Sequence, residues 1–256
     1  MGRARRWSEY SKANDQTMQA ASYIALSSQM ALHRQMDVVA NNLANSSTPA
    51  FKAERMLFSE FLDRRGANQP TSFVQDFGTV RDTKQGPITR TGNSLDLALQ
   101  GDGYLKVETP LGIRYTRNGR FQLDGTGQVV TAQGYPVLAD GDRPLTVPTD
   151  AQDITVTKDG TVTTNQGEAG RLSVVRFDNE RDLVPASGGL FVTEALPQPA
   201  TGTVVQQGMI EGSNVESILE ITRMMNISHN FEFAKNLGDS ESDRTRSAID
   251  KLGKVA

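Results

Sequence analysis

Apolar positions follow a helical period at the two ends of the chain and a strand period between them. From about residue 20 to 44, Leu32, Met36, Val39 and Leu43 step by four, three and four, and Ala21 and Ala25 extend the stripe backwards. Small residues crowd the first half of this segment, which permits close approach of a second helix. It runs into Asn45-Ser46-Ser47-Thr48-Pro49, where asparagine can take a left-handed cap and proline blocks continuation.

A second helical segment opens at Gly212-Ser213-Asn214-Val215-Glu216, with Ser213 or Asn214 as N-cap. Val215, Ile218, Ile221 and Met225 form one stripe, and Met224, Ile227, Phe231 and Ala234 an adjacent one. A break is expected at Gly238-Asp239-Ser240, before a weaker helical stretch to about Leu252.

Between the helices the pattern is alternation and turns. Strands are expected at Tyr104–Glu108, Arg120–Leu123, Gln128–Thr131, Ile154–Thr157 and Leu172–Phe177, with hairpin turns at Asp124-Gly125, Asp140-Gly141 and Asp159-Gly160. Most of the 23 glycines fall in this stretch, whereas proline is absent from 3–48 and after Pro199. Both residues disfavour helix interiors, so the chain divides into helix, turn-rich middle and helix. The fold class is α+β: terminal helices pairing as a coiled-coil-like stem, with an inserted antiparallel β-rich domain of barrel or sandwich type. The boundaries are a leader at 1–17, read as disordered or as a start-site artefact before Met18, an N-terminal helix at 18–49, a connector at 50–80, a β-rich domain at 81–207 and a C-terminal helix at 208–256.

Composition narrows the chemistry. The 256 residues carry 27 basic and 30 acidic side chains, a formal net charge of -3, with the basic residues scattered among acids, so a polycationic nucleic-acid binder is excluded. With no cysteine, thiol catalysis, disulfides and thiolate metal sites are excluded. His33 and His229 each lie in an expected helix without a second ligand at i+3 or i+4. Gly101-Asp102-Gly103 and Gly125-Thr126-Gly127 lead into no helix and read as tight turns rather than phosphate loops. Asp140-Gly141-Asp142 lacks the remaining ligands of a calcium loop. No Gly-x-Ser-x-Gly elbow occurs. The expectation is a protein that is not an enzyme, with no catalytic residues, no metal and no cofactor. No apolar run is long enough for a membrane span, and no apolar h-region follows the basic leader.

Two amphipathic helices would leave apolar surface in water, at a cost of roughly 25 cal/mol per Å². Either they pair with each other or both pack onto the β domain, and the pattern alone leaves both open. The two stripes of the C-terminal helix favour assembly, because a two-helix hairpin satisfies only one of them.

Three runs carry a resemblance. Met36-Asp37-Val38-Val39-Ala40-Asn41-Asn42-Leu43-Ala44-Asn45-Ser46-Ser47-Thr48-Pro49-Ala50-Phe51-Lys52 is the first, with Ala50 where glycine is usual. The second is Thr91-Gly92-Asn93-Ser94-Leu95-Asp96-Leu97-Ala98-Leu99-Gln100-Gly101-Asp102-Gly103-Tyr104, followed by Tyr115-Thr116-Arg117-Asn118-Gly119-Arg120-Phe121. Gly208-Met209-Ile210-Glu211-Gly212-Ser213-Asn214-Val215 is the third. In this order they resemble the rod and hook proteins of the bacterial flagellum, and the short start Tyr23–Gln29 is most similar to a proximal-rod member.

That resemblance implies a structural subunit of the proximal rod. It would be exported without a cleaved signal peptide by the flagellar type III apparatus, and built helically into a torque-transmitting shaft spanning the periplasm. Its partners would be other rod subunits and copies of itself, with no nucleic acid and no membrane insertion. A distal-rod or hook-type axial subunit, or a secreted β-rich binding module, stays open as an alternative. The residues expected at subunit interfaces are Leu32, Met36, Val39, Asn41, Asn42, Leu43, Asn45, Val215, Ile218, Ile221, Met224, Met225 and Phe231. Thr91, Gly92, Asn93, Asp96, Gly101, Gly103, Asn118 and Gly119 are expected to serve the β domain itself, as turn formers and strand-end hydrogen bonders.

Overall fold

The computed structural model describes residues 26–63, 71–151 and 153–253. The leader 1–17, Met18, the opening of the expected N-terminal helix at 20–25 and the polar run 64–70 lie outside the described residues. The chain divides into two compact units. Of the described residues, 26–43, 54–63, 71–80 and 217–253 form one, and 44–53, 81–151 and 153–216 form the other.

In the first unit, helix α1 spans 26–44 and helix α2 spans Ser217–Gly253. The N-terminal helix packs against the C-terminal one. Gln29 donates to the Ala234 carbonyl at 3.4 Å and the Asn42 amide lies 3.5 Å from the Glu220 carboxylate, so the two run antiparallel. Val39 and Ile227 are buried in this unit. Residues 50–80, read as a connector, include two strands, Glu54–Asp63 and Thr71–Arg81, paired in a two-stranded sheet. Two expectations for α2 need correction. The helix does not break at Gly238-Asp239-Ser240 but continues through 37 residues. One glycine costs about 1 kcal/mol against alanine, too little to stop a helix with good formers on both sides. Ser240 keeps its hydroxyl satisfied by donating to the Leu237 carbonyl at 2.8 Å. Nor do Ser213 and Asn214 cap α2, which starts at Ser217, because both side chains are engaged elsewhere.

The second unit is antiparallel in every described pairing. Its largest sheet has six strands in the order Val184–Ala186, Leu190–Val192, Gly112–Thr116, Tyr104–Thr109, Val174–Arg176 and Gln198–Pro199. Alternation sends Leu105 and Val107 into a core with Leu97, Leu99, Val137, Leu145 and Leu172. It sends Tyr104 the other way, into a second cluster with Tyr115, Phe177, Leu183 and Phe191. Tyr115 meets Phe177 edge to face with ring centres 4.8 Å apart. The outermost strands are two or three residues long, and each contains a proline, Pro185 or Pro199.

The Asp-Gly turns close short antiparallel pairs where the sequence places them. Asp140-Gly141 joins Leu138–Ala139 to Arg143–Pro144, and Asp159-Gly160 joins Ile154–Val156 to Thr161–Thr164. The Asp124 carboxylate accepts from the Thr126 and Gln128 amides, both at 2.8 Å, in the loop between Phe121–Leu123 and Val129–Thr131. Two pairings join remote parts of the chain: Leu97–Gln100 with Val204–Gln207, and Ile88–Arg90 with Met209–Glu211.

Candidate assembly surface and a buried charge cluster

The residues read as interface fall into two groups. Val39 and Asn42 are buried, and Leu32, Met36, Leu43, Met224 and Phe231 are half-buried within the helical unit. The Asn42 amide is spent inside the chain: it donates to the Glu54 carbonyl at 2.8 Å and accepts from the Glu54 amide at 2.9 Å. Asn41 is exposed, and half-buried Asn45 accepts from the Thr48 hydroxyl at 3.1 Å. By contrast Ile218 is 79% exposed, and Ile221 and Met225 are exposed beside it on α2. The two stripes of α2 are thus unequal: the one through Ile227 is covered within the unit, whereas the one through Ile218, Ile221 and Met225 faces outward. Val215 lies before α2 and is half-buried.

The motif residues of the β unit organise its backbone. Thr91 and Gly92 donate to the Gly208 carbonyl at 2.8 and 3.1 Å, and Gly208 donates to the Asp96 carbonyl at 2.8 Å. Asn93 binds the buried Asp96 carboxylate at 3.3 Å. Asn118 accepts from the Arg120 amide at 3.1 Å. Gly119 leaves no room for a side chain, since an added Cβ would stand 1.5 Å from the Leu97 carbonyl oxygen.

The three resemblance runs also meet at a cluster of charges. Lys52 ends the first, Arg117 lies in the second and Glu211 in the third, and all three side chains are buried. The Glu211 carboxylate accepts from Lys52 Nζ at 2.5 Å, from Arg117 Nε at 2.7 Å and from the Gly86 amide at 3.0 Å. Lys52 also donates to the Lys84 carbonyl at 2.7 Å, and Arg117 to the carbonyls of Gly101 and Gly103 at 2.7 and 3.1 Å. Burial pushes the Lys52 ammonium below the usual lysine range, opposed by Glu211 beside it. Burial, reinforced by the Glu180 carboxylate, pushes the Tyr104 phenol well above its ordinary range. Beside the cluster, the Asn214 side chain accepts from the Ala53 amide at 2.7 Å and donates to the carbonyls of Asp82 and Lys84 at 2.9 and 3.0 Å. None of these charges stands out in the sequence; the one available signal is that each is embedded in a short run rich in glycine, asparagine or apolar residues.

No set of three or more potential metal ligands occurs among the described residues, and no described helix is long and apolar enough to cross a membrane. The side chains of the cluster bond each other and the backbone. Three family models match in the order of the runs. Residues 23–52 match the flagella basal body rod protein model, 98–164 the flagellar hook protein FlgE/F/G D1 domain, and 206–248 the flagellar basal body rod FlgEFG protein C-terminal model. The chain is 38% identical to the flagellar basal-body rod protein FlgF of Caulobacter vibrioides, over 93% of this chain and 100% of that protein.

The chain belongs to the flagellar basal-body rod protein family.

The FlgF of Escherichia coli is 33% identical over 90% of this chain and 97% of its own length. The FlgG of Agrobacterium fabrum is also 33% identical, but over 82% of this chain and 90% of its own. The protein is thus a FlgF-like flagellar basal-body rod subunit, structural rather than enzymatic. Family membership implies a place in the basal body and assembly with other rod subunits.

Proposed function

We propose that this rod subunit belongs to the proximal part of the rod and is laid down helically, with copies of itself and other rod subunits as neighbours. A head-to-tail contact that does not close on itself propagates such an axial array. The observation that carries this reading is the outward apolar stripe of Ile218, Ile221 and Met225, left uncovered when α1 and α2 pair. In the assembled shaft that stripe is buried against a neighbouring subunit. Torque then passes through packed helices rather than through a flexible chain. Delivery is through the flagellar type III export apparatus without a cleaved signal peptide, and the rod spans the periplasm.

The test uses the paired change Ile221→Glu with Met225→Glu. Both positions are exposed, so the monomer should unfold at an unchanged temperature while the protein disappears from isolated basal bodies and cells lose motility. Normal incorporation of that variant refutes the reading. Immunogold labelling of basal bodies separates a proximal position from a distal one.

A further inference from the structure

Within the cluster the charges are uneven: two cations, Lys52 and Arg117, bond one carboxylate, Glu211, with side-chain exposures of 3%, 4% and 0%. Glu180 acts on Lys52 only through space, and the other buried carboxylate among the described residues of the β unit, Asp96, is held by Asn93. The places of the cluster's three residues in the chain are uneven too. Both hydrophobic clusters of the β unit are built from residues between Leu97 and Val205. Lys52 and Arg117 precede the end of that stretch, whereas Glu211 follows it by six residues, on the strand Met209–Glu211. A chain folded as far as Val205 would therefore possess its whole apolar core and two buried cations without the one carboxylate that bonds them both. Stripping a lone ion of water costs several times what one good hydrogen bond returns, and natural domains have little stability to spare. Backbone carbonyls of Lys84, Gly101 and Gly103 soften the penalty without cancelling either charge.

We propose that Lys52, Arg117 and Glu211 form a charge lock that makes closure of the β unit conditional on seating of the strand Met209–Glu211. Until the carboxylate arrives, the two cations keep water in the interior and the unit stays open. Once seated, Glu211 draws in Gly86 through its carboxylate and Ala50 through its carbonyl, which accepts at 2.9 Å. One residue thereby closes segments 44–53, 81–90 and 209–216 together. The unit cannot complete itself on its hydrophobic interior alone, and folding waits for nearly the entire β-forming sequence.

The test is pulse-labelled hydrogen exchange during refolding of the full, unmutated chain. The core amides of Val137, Leu145 and Leu172 should gain protection in the same phase as those of Ala50, Gly86 and Gly212, all backbone-bonded or bonded to Glu211. Protection of the core amides in an earlier phase overturns the proposal. A second measurement is proteolysis under native conditions, which follows the population of the open form. Glu211→Gln should shorten the digestion half-life of the β unit about a hundredfold, the scale of breaking a buried ion pair. Adding Lys52→Met and Arg117→Met to that variant should restore at least tenfold, because no unpaired charge then remains. A resistant Glu211→Gln protein, or a triple variant as labile as the single one, overturns the lock as well.

Discussion

Arg117 Nε donates to Glu211 Oε2 across 2.7 Å although 94 residues separate them in the chain. The same guanidinium binds the Gly101 and Gly103 carbonyls and stands 5.9 Å from the Tyr104 ring centre. Arg117 thus joins the turn before one central strand to the segment that leads toward α2. Lysine at this position could not reproduce a planar fork reaching three acceptors.

Ala50 holds a left-handed backbone, with φ of 56°, a conformation that favours glycine. An alanine there crowds its Cβ against the carbonyl, and the position is fixed because the Ala50 amide donates to the Glu211 carbonyl. Ala50→Gly relieves that crowding at the cost of a more flexible unfolded chain. A net stabilisation of about 0.5–1 kcal/mol is expected, read as a higher urea midpoint with an unchanged slope.

Ile227 and Ile218 lie on one helix with opposite surroundings, 4% and 79% exposed. Ile227→Ala should cost about 2–5 kcal/mol of the helical unit's stability through the cavity it leaves. Ile218→Ala should stay within about 0.5 kcal/mol of the unmutated monomer. Chemical denaturation followed by far-UV circular dichroism measures both, and equal losses would mean that the covered and uncovered stripes have been misassigned.

Asp159 accepts from the hydroxyls of Thr157 and Thr161, the latter at 2.9 Å, and these bonds pull its carboxyl down to about 2. Its folded value lies below the unfolded one, so the unfolded chain binds more protons in this range. The contribution is therefore present above about pH 4 and lost as pH falls toward 2. Asp159→Asn should flatten the fall of the unfolding temperature over that window, and an undiminished slope would show that the turn does not depend on the ionised carboxylate.

How much of this was legible from residues alone differs by element. Periodicity located both helices, because a stripe such as Leu32, Met36, Val39 and Leu43 is a local signal, and the Asp-Gly pairs located three hairpins. The strands Glu54–Asp63 and Thr71–Arg81 were not legible, since sticky residues such as Met56 and Leu57 lack clean alternation. Leu97–Gln100 was hidden for another reason: buried residues fill three of its four positions, and its partner lies at Val204–Gln207. Gly238 signals a stop locally, but the cooperativity of a long helix carries α2 through it. For the assembly surface, two apolar stripes on α2 could be seen, but not which one the chain covers itself. The charge cluster was invisible for the deepest reason, as buried lysine, arginine and glutamate become intelligible only once three remote segments are in contact.

The prolines at both borders of the six-stranded sheet bear on life in a crowded polymer. A proline has no amide hydrogen to offer, and strands of two or three residues give an incoming strand little to grip. In the helical array proposed above, identical sheets held at high local density would not zip edge to edge into amyloid-like ribbons, which leaves stacking to other surfaces.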